Sequence, residues 1–530
     1  MNKLIKYFIV TETILLFSCA QRSALTGGEK DELPPQILEV TPANGSVNFT
    51  STEISVKFNE FVKLQNIQNQ LIVSPIMDEA PKLKLKGKKL IIKPTVALQE
   101  NTTYSINFGD AIVDITEDNP YPNFKYVFST GNELDSLSYA GLLLDAFDLS
   151  PQENKFVMLY NQLEDSVPLT QKPNYLTKTK ADGSFTVTNM KQGTYKVFAL
   201  DDINGNYLYD LPNEQIAFLN QPVVLDSSIS EQVLYAFTKT DTIQYVKKIE
   251  NKQYGKLHLE LNLPSKEISI FDKNDEPIAY SFYENNTTFT KHTFWLTDDI
   301  TTSEKLIITK QNGIAIDSSV VDLLTIKDFK DTTLNIKDNI TASFDLNQEI
   351  LFQPAVPVSD INMEKIKLLE NKKVVDVLIN QDSVSSAIKL NYAFKENTSY
   401  QLKIDSGAFV SIYNLTNDSI EKSFKTKKEE NYGTLKITIA PNFADNYIFQ
   451  LWKKDELINE FYDKHIQVFV VPYLKPGEYQ VKLIVDKNKN RKWDNGDYNK
   501  LLQPEKLIIY NEIITIQENW DNDIIWNIKL

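Results

Sequence analysis

The sequence predicts an all-β fold built from tandem β-sandwich domains. Apolar and polar residues alternate in short runs, as at Ile54, Val56 and Phe58, and this period of two is typical of strands with one buried face. Turn-forming pairs such as Asn44-Gly45 interrupt the runs at short intervals. Only residues 363–369 suggest a short helix. Closely spaced short strands favour sandwiches over alternating strands and helices.

Internal repetition is the third observation behind this prediction. Residues 202–210 read DINGNYLYD and residues 486–494 read DKNKNRKWD, and each follows a strand-like run. Residues 100–106 (ENTTYSI) return as residues 396–402 (ENTSYQL). Repeated local patterns at a constant order along a chain indicate duplicated modules. The sequence therefore predicts the module order A-B-C-A-B.

Length and composition bound the possible functions. A chain of 530 residues with 42% hydrophobic and 11% aromatic residues can form several packed domains. Its formal net charge of -15 argues against nucleic-acid binding, which needs a basic face. The single cysteine, Cys19, excludes an intrachain disulfide. The three histidines, His258, His292 and His465, show no metal-binding spacing.

The first residues predict an export signal and a lipid anchor. Residues 1–18 combine a basic start with a short apolar segment, which is typical of a signal peptide. The segment ends Leu16-Phe17-Ser18-Cys19 and resembles a bacterial lipobox, which implies that Cys19 becomes lipidated. The alternative is an ordinary signal peptide that contains a stray cysteine. Acyl chains on one residue anchor a protein without a spanning helix.

The residues after Cys19 predict a flexible tether and an anchor in the outer membrane. Residues 19–33 contain paired glycines and few apolar residues, as flexible linkers do. Position +2 after the cysteine is Ala20 rather than Asp, so nothing argues for retention in the inner membrane. Whether the protein faces the periplasm or the cell surface stays open.

Two kinds of module resemble known families. Residues 54–60 (ISVKFNE), 98–104 (LQENTTY) and 128–130 (FST) resemble the bacterial Ig-like domain of surface-layer proteins, which implies a seven-strand sandwich. Residues 181–187 (ADGSFTV) and 193–197 (GTYKV) resemble carboxypeptidase-regulatory-like, or transthyretin-like, sandwiches. Such sandwiches are accessory modules without a peptidase centre.

These resemblances and repeats define a complete domain plan. After the signal peptide and tether, we expect an Ig-like sandwich at residues 34–131, a regulatory-like sandwich at 132–243 and an unassigned sandwich at 244–328. A repeat of the Ig-like sandwich at 329–427 and a repeat of the regulatory-like sandwich at 428–530 follow. As a whole the chain resembles Bacteroidetes-type outer-membrane lipoproteins, with residues 26–31 (TGGEKD) looking like their post-cysteine run.

The two repeated loops are the candidate metal sites. Their Asp and Asn residues fall on odd positions, and such oxygen ligands on a tight loop suit Ca²⁺. The candidate ligands are Asp202, Asn204, Asn206, Asp210, Asp486, Asn488, Asn490, Asp494 and Asp497. An EF-hand loop has Gly at position 6, where this chain has Tyr207 and Arg491, and Asn213 replaces the Glu of position 12 in the first loop. The alternative is an Asx-turn loop, in which Asp and Asn bond their own backbone.

No catalytic motif is recognisable, so the sequence predicts a protein that is not an enzyme. The nucleophile elbow, the zinc-protease helix and the phosphate-binding loop are all missing from the sequence. We expect a scaffold or interaction subunit, with a membrane contact through lipid, an envelope-protein partner and no nucleic acid. A role beside an outer-membrane β-barrel assembly or secretion complex is the specific hypothesis. The alternatives are a glycan-binding or adhesive lipoprotein and a hydrolase or its accessory subunit.

Overall fold

A computed structural model describes residues 32–240, 243–297, 300, 302–382, 384–440, 446–463 and 467–528. The predicted signal peptide, Cys19 and most of the tether lie outside the described residues. The described residues up to Asp145 together with Ser150–Ala236 form one compact unit, and Ala146–Leu149 together with the described residues from Phe237 onward form another. Strands dominate both units, which confirms the all-β prediction.

The first unit begins with nine strands and one helical turn. Four strands form a sheet in the order β1-β2-β6-β5, while β4-β7-β9 and β3-β8 form two smaller sheets. The elements are β1 (Ile37–Thr41), β2 (Ile54–Phe58), β3 (Val62–Leu64), α1 (Ile67–Gln70), β4 (Ile72–Ser74), β5 (Lys82–Lys86), β6 (Lys89–Lys93), β7 (Thr103–Asn107), β8 (Ile112–Asp114) and β9 (Lys125–Ser129). The alternating apolar residues Val56, Phe58 and Leu90 are completely buried, as one-faced strands require.

Eight further strands form the segment that was predicted to be regulatory-like. Strand β10 pairs in parallel with β17 and antiparallel with β13, and β11 lies between β12 and β14. The elements are β10 (Leu137–Asp145), β11 (Phe156–Tyr160), α2 (Val167–Thr170), β12 (Tyr175–Lys178), β13 (Ser184–Met190), β14 (Gly193–Leu200), β15 (Gln215–Phe218), β16 (Val223–Leu225) and β17 (Ile229–Thr238).

The second unit opens with two sheets, in the orders β18-β19-β22-β21 and β20-β23-β24. A short 3-10 helix, Ile326–Asp328, follows them. The strands are β18 (Val246–Gln253), β19 (Lys256–Leu261), β20 (Ile268–Phe271), β21 (Tyr280–Asn285), β22 (Lys291–Leu296), β23 (Glu304–Gln311) and β24 (Ile314–Asp322). Leu257, Leu259 and Phe294 are fully buried within their core.

The next eleven strands reproduce the pairing of β1 to β9. The sheet order β25-β27-β32-β31 matches β1-β2-β6-β5. The strands are β25 (Ile336–Asp338), β26 (Ser343–Phe344), β27 (Ile350–Pro354), β28 (Val358–Ile361), β29 (Ile366–Glu370), β30 (Lys373–Val375), β31 (Leu378–Gln381), β32 (Ile388–Asn391), β33 (Ser399–Ile404), β34 (Phe409–Ser411) and β35 (Ile420–Thr426). The expected helix over 363–369 is wrong, because only Met363–Lys365 form a 3-10 turn and Ile366 and Leu368 bury one face of a strand.

The last eight strands reproduce the pairing of β10 to β17. Strand β36 pairs in parallel with β43 and antiparallel with β39, as β10 does with β17 and β13. The strands are β36 (Gly433–Ala440), β37 (Asn446–Lys453), β38 (Glu456–Asp463), β39 (Val468–Leu474), β40 (Gly477–Asp486), β41 (Leu507–Ile509), β42 (Ile514–Ile516) and β43 (Asp521–Asn527). The remaining 3-10 helices are Glu429–Asn431 and Tyr498–Lys500. The exact boundaries of the five modules stay a prediction.

None of the helices in the described part of the chain has the length and hydropathy that crossing a membrane would need.

Candidate functional site

The first loop begins where strand β14 ends, and its first carboxylate organises the turn. Asp202 Oδ1 accepts hydrogen bonds from the backbone N–H groups of Gly205 (2.8 Å) and Asn206 (3.2 Å). Asp202 Oδ2 accepts a third from the N–H of Tyr207 at 2.8 Å. Tyr207 takes a positive φ of 62° there, the conformation for which an EF-hand uses Gly. The hydrogen bonds of Asp202 thus stabilise a tight turn whose positive φ is unfavourable for a residue larger than Gly.

The other predicted ligands of the first loop converge on Asp210. Asn204 Nδ2 donates to Asp210 Oδ1 at 3.0 Å, and Asn206 Nδ2 donates to Asp210 Oδ2 at 2.8 Å. The amide oxygen of Asn206 accepts from the N–H of Leu208 at 2.7 Å. All four residues predicted for this loop, including Asp202, therefore take part in one hydrogen-bonded turn.

Glu214 joins the two ends of the first loop through hydrogen bonds. Its side chain is fully buried and accepts three backbone N–H groups. Glu214 Oε1 accepts from Ile203 at 3.2 Å, and Oε2 accepts from Asp210 at 3.1 Å and Leu211 at 3.0 Å. A buried carboxylate needs such donors, because leaving it without them costs several kcal/mol, on the order of 2 or more.

The second loop follows strand β40 and repeats this geometry. Asp486 is buried and accepts from the N–H groups of Asn490 (3.1 Å) and Arg491 (3.0 Å). Arg491 takes a φ of 64°, as Tyr207 does at the matching position. The side-chain amides of Asn488 and Asn490 both donate to Asp494. The sequence repeat therefore reflects one backbone conformation used twice.

Glu505 takes the place of Glu214 in the second loop. Its Oε1 accepts from the N–H of Lys487 at 2.8 Å, and its Oε2 accepts from the N–H of Asp494 at 3.2 Å. Burial raises the pKa of the Glu505 carboxyl; the two N–H bonds lower it, and the nearby carboxylates of Asp494 and Asp486 raise it further. The net direction is upward. Glu505 was not among the residues predicted from the sequence.

Asp497, the remaining predicted ligand, is directed elsewhere. Its Oδ1 accepts from the N–H of Asn499 at 3.0 Å, where it begins the 3-10 helix Tyr498–Lys500. Its Oδ2 lies 3.5 Å from Lys500 Nζ. These contacts lie within its own helical turn and involve neither Asp486 nor Asp494.

The donor chemistry of the loops fits a hard cation, since each offers carboxylate and amide oxygens on one turn. Within the described ranges, no group of three or more His, Cys, Asp and Glu side chains has the arrangement of a metal site. The hydrogen bonds of Asp202 and Asp486 match the Asx-turn alternative. Calcium binding stays a prediction.

Two of the three histidines have local structural contacts. His258 Nδ1 lies 3.1 Å from Thr293 Oγ1, and His292 Nδ1 lies 2.6 Å from the Tyr283 hydroxyl. Burial is the main cause that lowers the pKa of both imidazoles. His465 lies outside the described residues.

An ion cluster around the buried Asp345 in the second unit was not predicted. Asp345 is 7% exposed and contacts Lys427 Nζ at 2.8 Å and Lys475 Nζ at 2.7 Å. The Tyr432 hydroxyl donates to its Oδ1 at 3.0 Å. Burial raises the pKa of Asp345, but the hydrogen bonds from both lysines and the tyrosine outweigh burial, so the pKa is lowered. The cluster links the ends of strands from two predicted modules.

Comparison with solved structures gives weak global similarities. The major pilin subunit BcpA of Bacillus cereus is 11% identical, with 74% of this chain and 99% of that chain covered and a TM-score of 0.15. The S-layer protein SbsC is 12% identical, with coverages of 91% and 67% and a TM-score of 0.15. An L,D-transpeptidase from Mycobacterium smegmatis is 15% identical, with coverages of 31% and 76% and a TM-score of 0.14. Similarities at these TM-scores carry no argument about function.

Comparison with protein families supports the first module alone. No curated protein matches the chain. Residues 31–130 match the family model described as bacterial Ig-like domain. The match covers 100 of the 530 residues (130 minus 31, plus one) and confirms that the first module is Ig-like, whereas its bounds, residues 34–131, stay a prediction. Over residues 31–130, the chain is therefore similar to the bacterial Ig-like domain family.

Proposed function

We propose that the chain is a non-catalytic scaffold or interaction subunit of the cell envelope, held at the outer membrane by lipid on Cys19. The observation that carries the proposal is the lipobox-like run Leu16-Phe17-Ser18-Cys19 ahead of a chain of β-sandwich modules, the first of which is Ig-like. Sandwich modules in series present loops and strand edges to partners, which recognise them through backbone pairing and side-chain pockets.

The geometry of the two loops supports a role of their carboxylates in fixing the loop shape for binding, rather than a role in catalysis. The carboxylates of Asp202 and Asp486 accept backbone N–H groups of their own turns. Glu214 and Glu505 are buried beneath the same turns. A group that is held in this way fixes the shape of a loop, and a fixed loop loses less conformational entropy when it binds a partner.

The specific partner that we propose is an outer-membrane β-barrel protein of an assembly or secretion complex. The test is purification of the tagged chain from gently solubilised outer membranes, with identification of the proteins that accompany it. A barrel protein at a fixed ratio is the expected result. The Cys19→Ser variant is the matched control, because it keeps every module but loses the proposed anchor. The absence of any protein at a fixed ratio would contradict the proposal.

A glycan-binding or adhesive role is the second candidate, and exposed aromatic residues favour it. Trp520 is 58% exposed and Tyr473 is 37% exposed, and both lie in residues 428–530. Exposed aromatic rings are typical of binding surfaces. Polysaccharide binding by the purified chain, weakened at least tenfold by Trp520→Ala, would support this candidate. Unchanged polysaccharide binding by that variant would contradict this location of the site.

A further inference from the structure

The outer face of the first four-stranded sheet carries an unusual concentration of lysines. In the segment from residue 82 to residue 93 there are six lysines and no acidic residues, although the whole chain has a net charge of -15. Lys57 on β2 lies beside them in the sheet. We call this set the lysine face: Lys57, Lys82, Lys84, Lys86, Lys88, Lys89 and Lys93, all of which are exposed.

The strand register places these charges opposite each other. Lys82 pairs with Lys93 and Lys86 pairs with Lys89 across β5 and β6, and Lys57 pairs with Lys89 across β2 and β6. Residues directly opposite in an antiparallel pair have Cβ atoms about 5 Å apart, so like charges there destabilise the sheet. The fold itself therefore does not favour this arrangement.

Few acidic residues offset the lysine face. Lys93 Nζ lies 2.9 Å from Glu53, and Glu39 on β1 pairs with Lys57 on β2. Among the described residues, no carboxylate lies within 4.0 Å of the Nζ atoms of the remaining members, and Lys88 donates instead to the carbonyl of Asn59 at 2.6 Å. The charge of the face is therefore directed to solvent and is available to an anionic partner.

The repeated Ig-like segment shows that this sheet does not need the lysines. The matching strands β25, β27, β32 and β31 have the same sheet order. At the positions that face outward, they carry mainly neutral residues: Leu351, Gln353, Leu378, Asn380 and Asn391, with Lys337 and Lys389 as the charged exceptions. The first copy therefore differs from the second in chemistry and not in strand pairing.

Two further observations favour a lipid surface as the partner. Ile37, the first residue of β1, lies only 18 positions (37 minus 19) after Cys19, which limits the span between them to about 60 Å at full extension. Phe61 is 54% exposed, and Lys88 Nζ lies 5.7 Å from the centre of its ring. An apolar ring among cationic side chains suits the boundary between headgroups and acyl chains.

We propose that the lysine face binds anionic lipid headgroups and lays the first module against the membrane that holds the lipid anchor. The orienting role rests on the proposed anchor at Cys19, whereas the headgroup binding does not. Each lysine near an anionic bilayer contributes about a fivefold gain in membrane affinity. Several together hold a module at the surface without entering the bilayer.

The test is vesicle co-flotation with the chain from residue 19 onward carrying Cys19→Ser, so that its result is independent of lipidation. We expect binding to vesicles that contain phosphatidylglycerol, no binding to pure phosphatidylcholine, and weakening as the salt concentration rises. The triple variant Lys82→Gln, Lys84→Gln, Lys86→Gln should lose about a hundredfold in affinity. It should stay folded, because it relieves like-charge repulsion, and a thermal melt followed by circular dichroism checks this.

The chain offers a matched control in its second Ig-like copy. Lys337, Lys367 and Lys373 are exposed, so replacing all three with Gln changes the net charge by the same amount. This variant should bind vesicles within about twofold of the parent chain, since its three lysines are not part of the lysine face that contacts the bilayer. Equal losses in both variants would overturn the proposal, as would unchanged binding by the first variant. Equal binding to neutral vesicles, or tighter binding to soluble polyglutamate than to anionic vesicles, would also overturn it.

Discussion

Removal of the Glu505 side chain should loosen the second loop, and the structure gives the size of the effect. Glu505→Ala leaves the N–H groups of Lys487 and Asp494 without their acceptor. Each such part-buried donor costs about 1–3 kcal/mol when it loses its acceptor. Part of this loss is offset because the substitution also removes a buried charge that Asp486 and Asp494 repel. We therefore expect the free energy of unfolding of the second unit to fall by about 2 kcal/mol.

Asp497→Ala is the matched control for this prediction. Asp497 lies in the same loop and was predicted from sequence as a ligand, but its side-chain oxygen atoms contact Asn499 and Lys500 rather than Asp486 or Asp494. Its loss should cost about 0.5–1 kcal/mol, as for a helix cap. Urea unfolding measures both costs, and hydrogen exchange of the amides of Lys487 and Asp494 locates them. Equal costs, or unchanged exchange in Glu505→Ala, would refute the reasoning.

The same carboxylate predicts a pH dependence with a definite sign. The pKa of Glu505 is raised on folding from its ordinary value of 4.5, so the folded chain takes up a proton at a higher pH than the unfolded chain does. The contribution to stability is therefore full below the unfolded value and is lost as the pH rises through the raised folded value. Glu505→Gln has no proton to take up, so the stability of the parent chain relative to this variant should increase as the pH falls from 7 toward 4.5.

Three further predictions concern Asp345, Gly255 and calcium binding by the repeated loops. Asp345→Asn should lower the free energy of unfolding by about 2 kcal/mol at pH 7, measured by urea unfolding. The pKa of Asp345 is lowered in the folded chain, so its contribution to stability is lost as the carboxylate becomes protonated, and the cost of the substitution should shrink below about pH 4. A cost that is constant with pH would contradict this. Gly255→Ala should destabilise the second unit by more than about 3 kcal/mol, because a Cβ there would collide with the Tyr413 ring and the backbone φ is 74°. Gly313→Ala is the control: its φ is a similar 78°, but a Cβ there meets open space, so it should cost only about 1 kcal/mol. Equal urea-unfolding midpoints for the two variants would contradict the packing argument. If the repeated loops bind Ca²⁺, millimolar calcium should raise the melting temperature relative to a chelator, and Asp202→Asn with Asp486→Asn should abolish the rise; an unchanged melt supports the Asx-turn alternative.

The fold class followed from the sequence because strand signals are local. Alternation at Ile54, Val56 and Phe58 depends on only five consecutive residues, and all three side chains are buried. The repeats strengthened the prediction, since two copies of one pattern predict the same local backbone. The matched positive φ values of Tyr207 and Arg491 follow from that repetition.

The long-range parts of the site left no comparable signal. Glu214 lies four positions after Asp210, but Glu505 lies eleven positions after Asp494. The second loop therefore holds a seven-residue insertion (11 minus 4) that hides the equivalence. Asp345 meets Tyr432, which lies 87 residues further along the chain. One sequence alone does not pair residues at such distances, because many other acidic and basic residues offer the same chemistry.

Metabolic labelling with palmitate tests the central claim most directly. The proposed envelope scaffold and the orienting role of the lysine face both depend on lipid at Cys19, which is the sole cysteine of the chain. We expect label on the mature protein, recovery in the outer-membrane fraction, and loss of both in Cys19→Ser. Unlabelled protein, or label that persists in Cys19→Ser, would contradict the account.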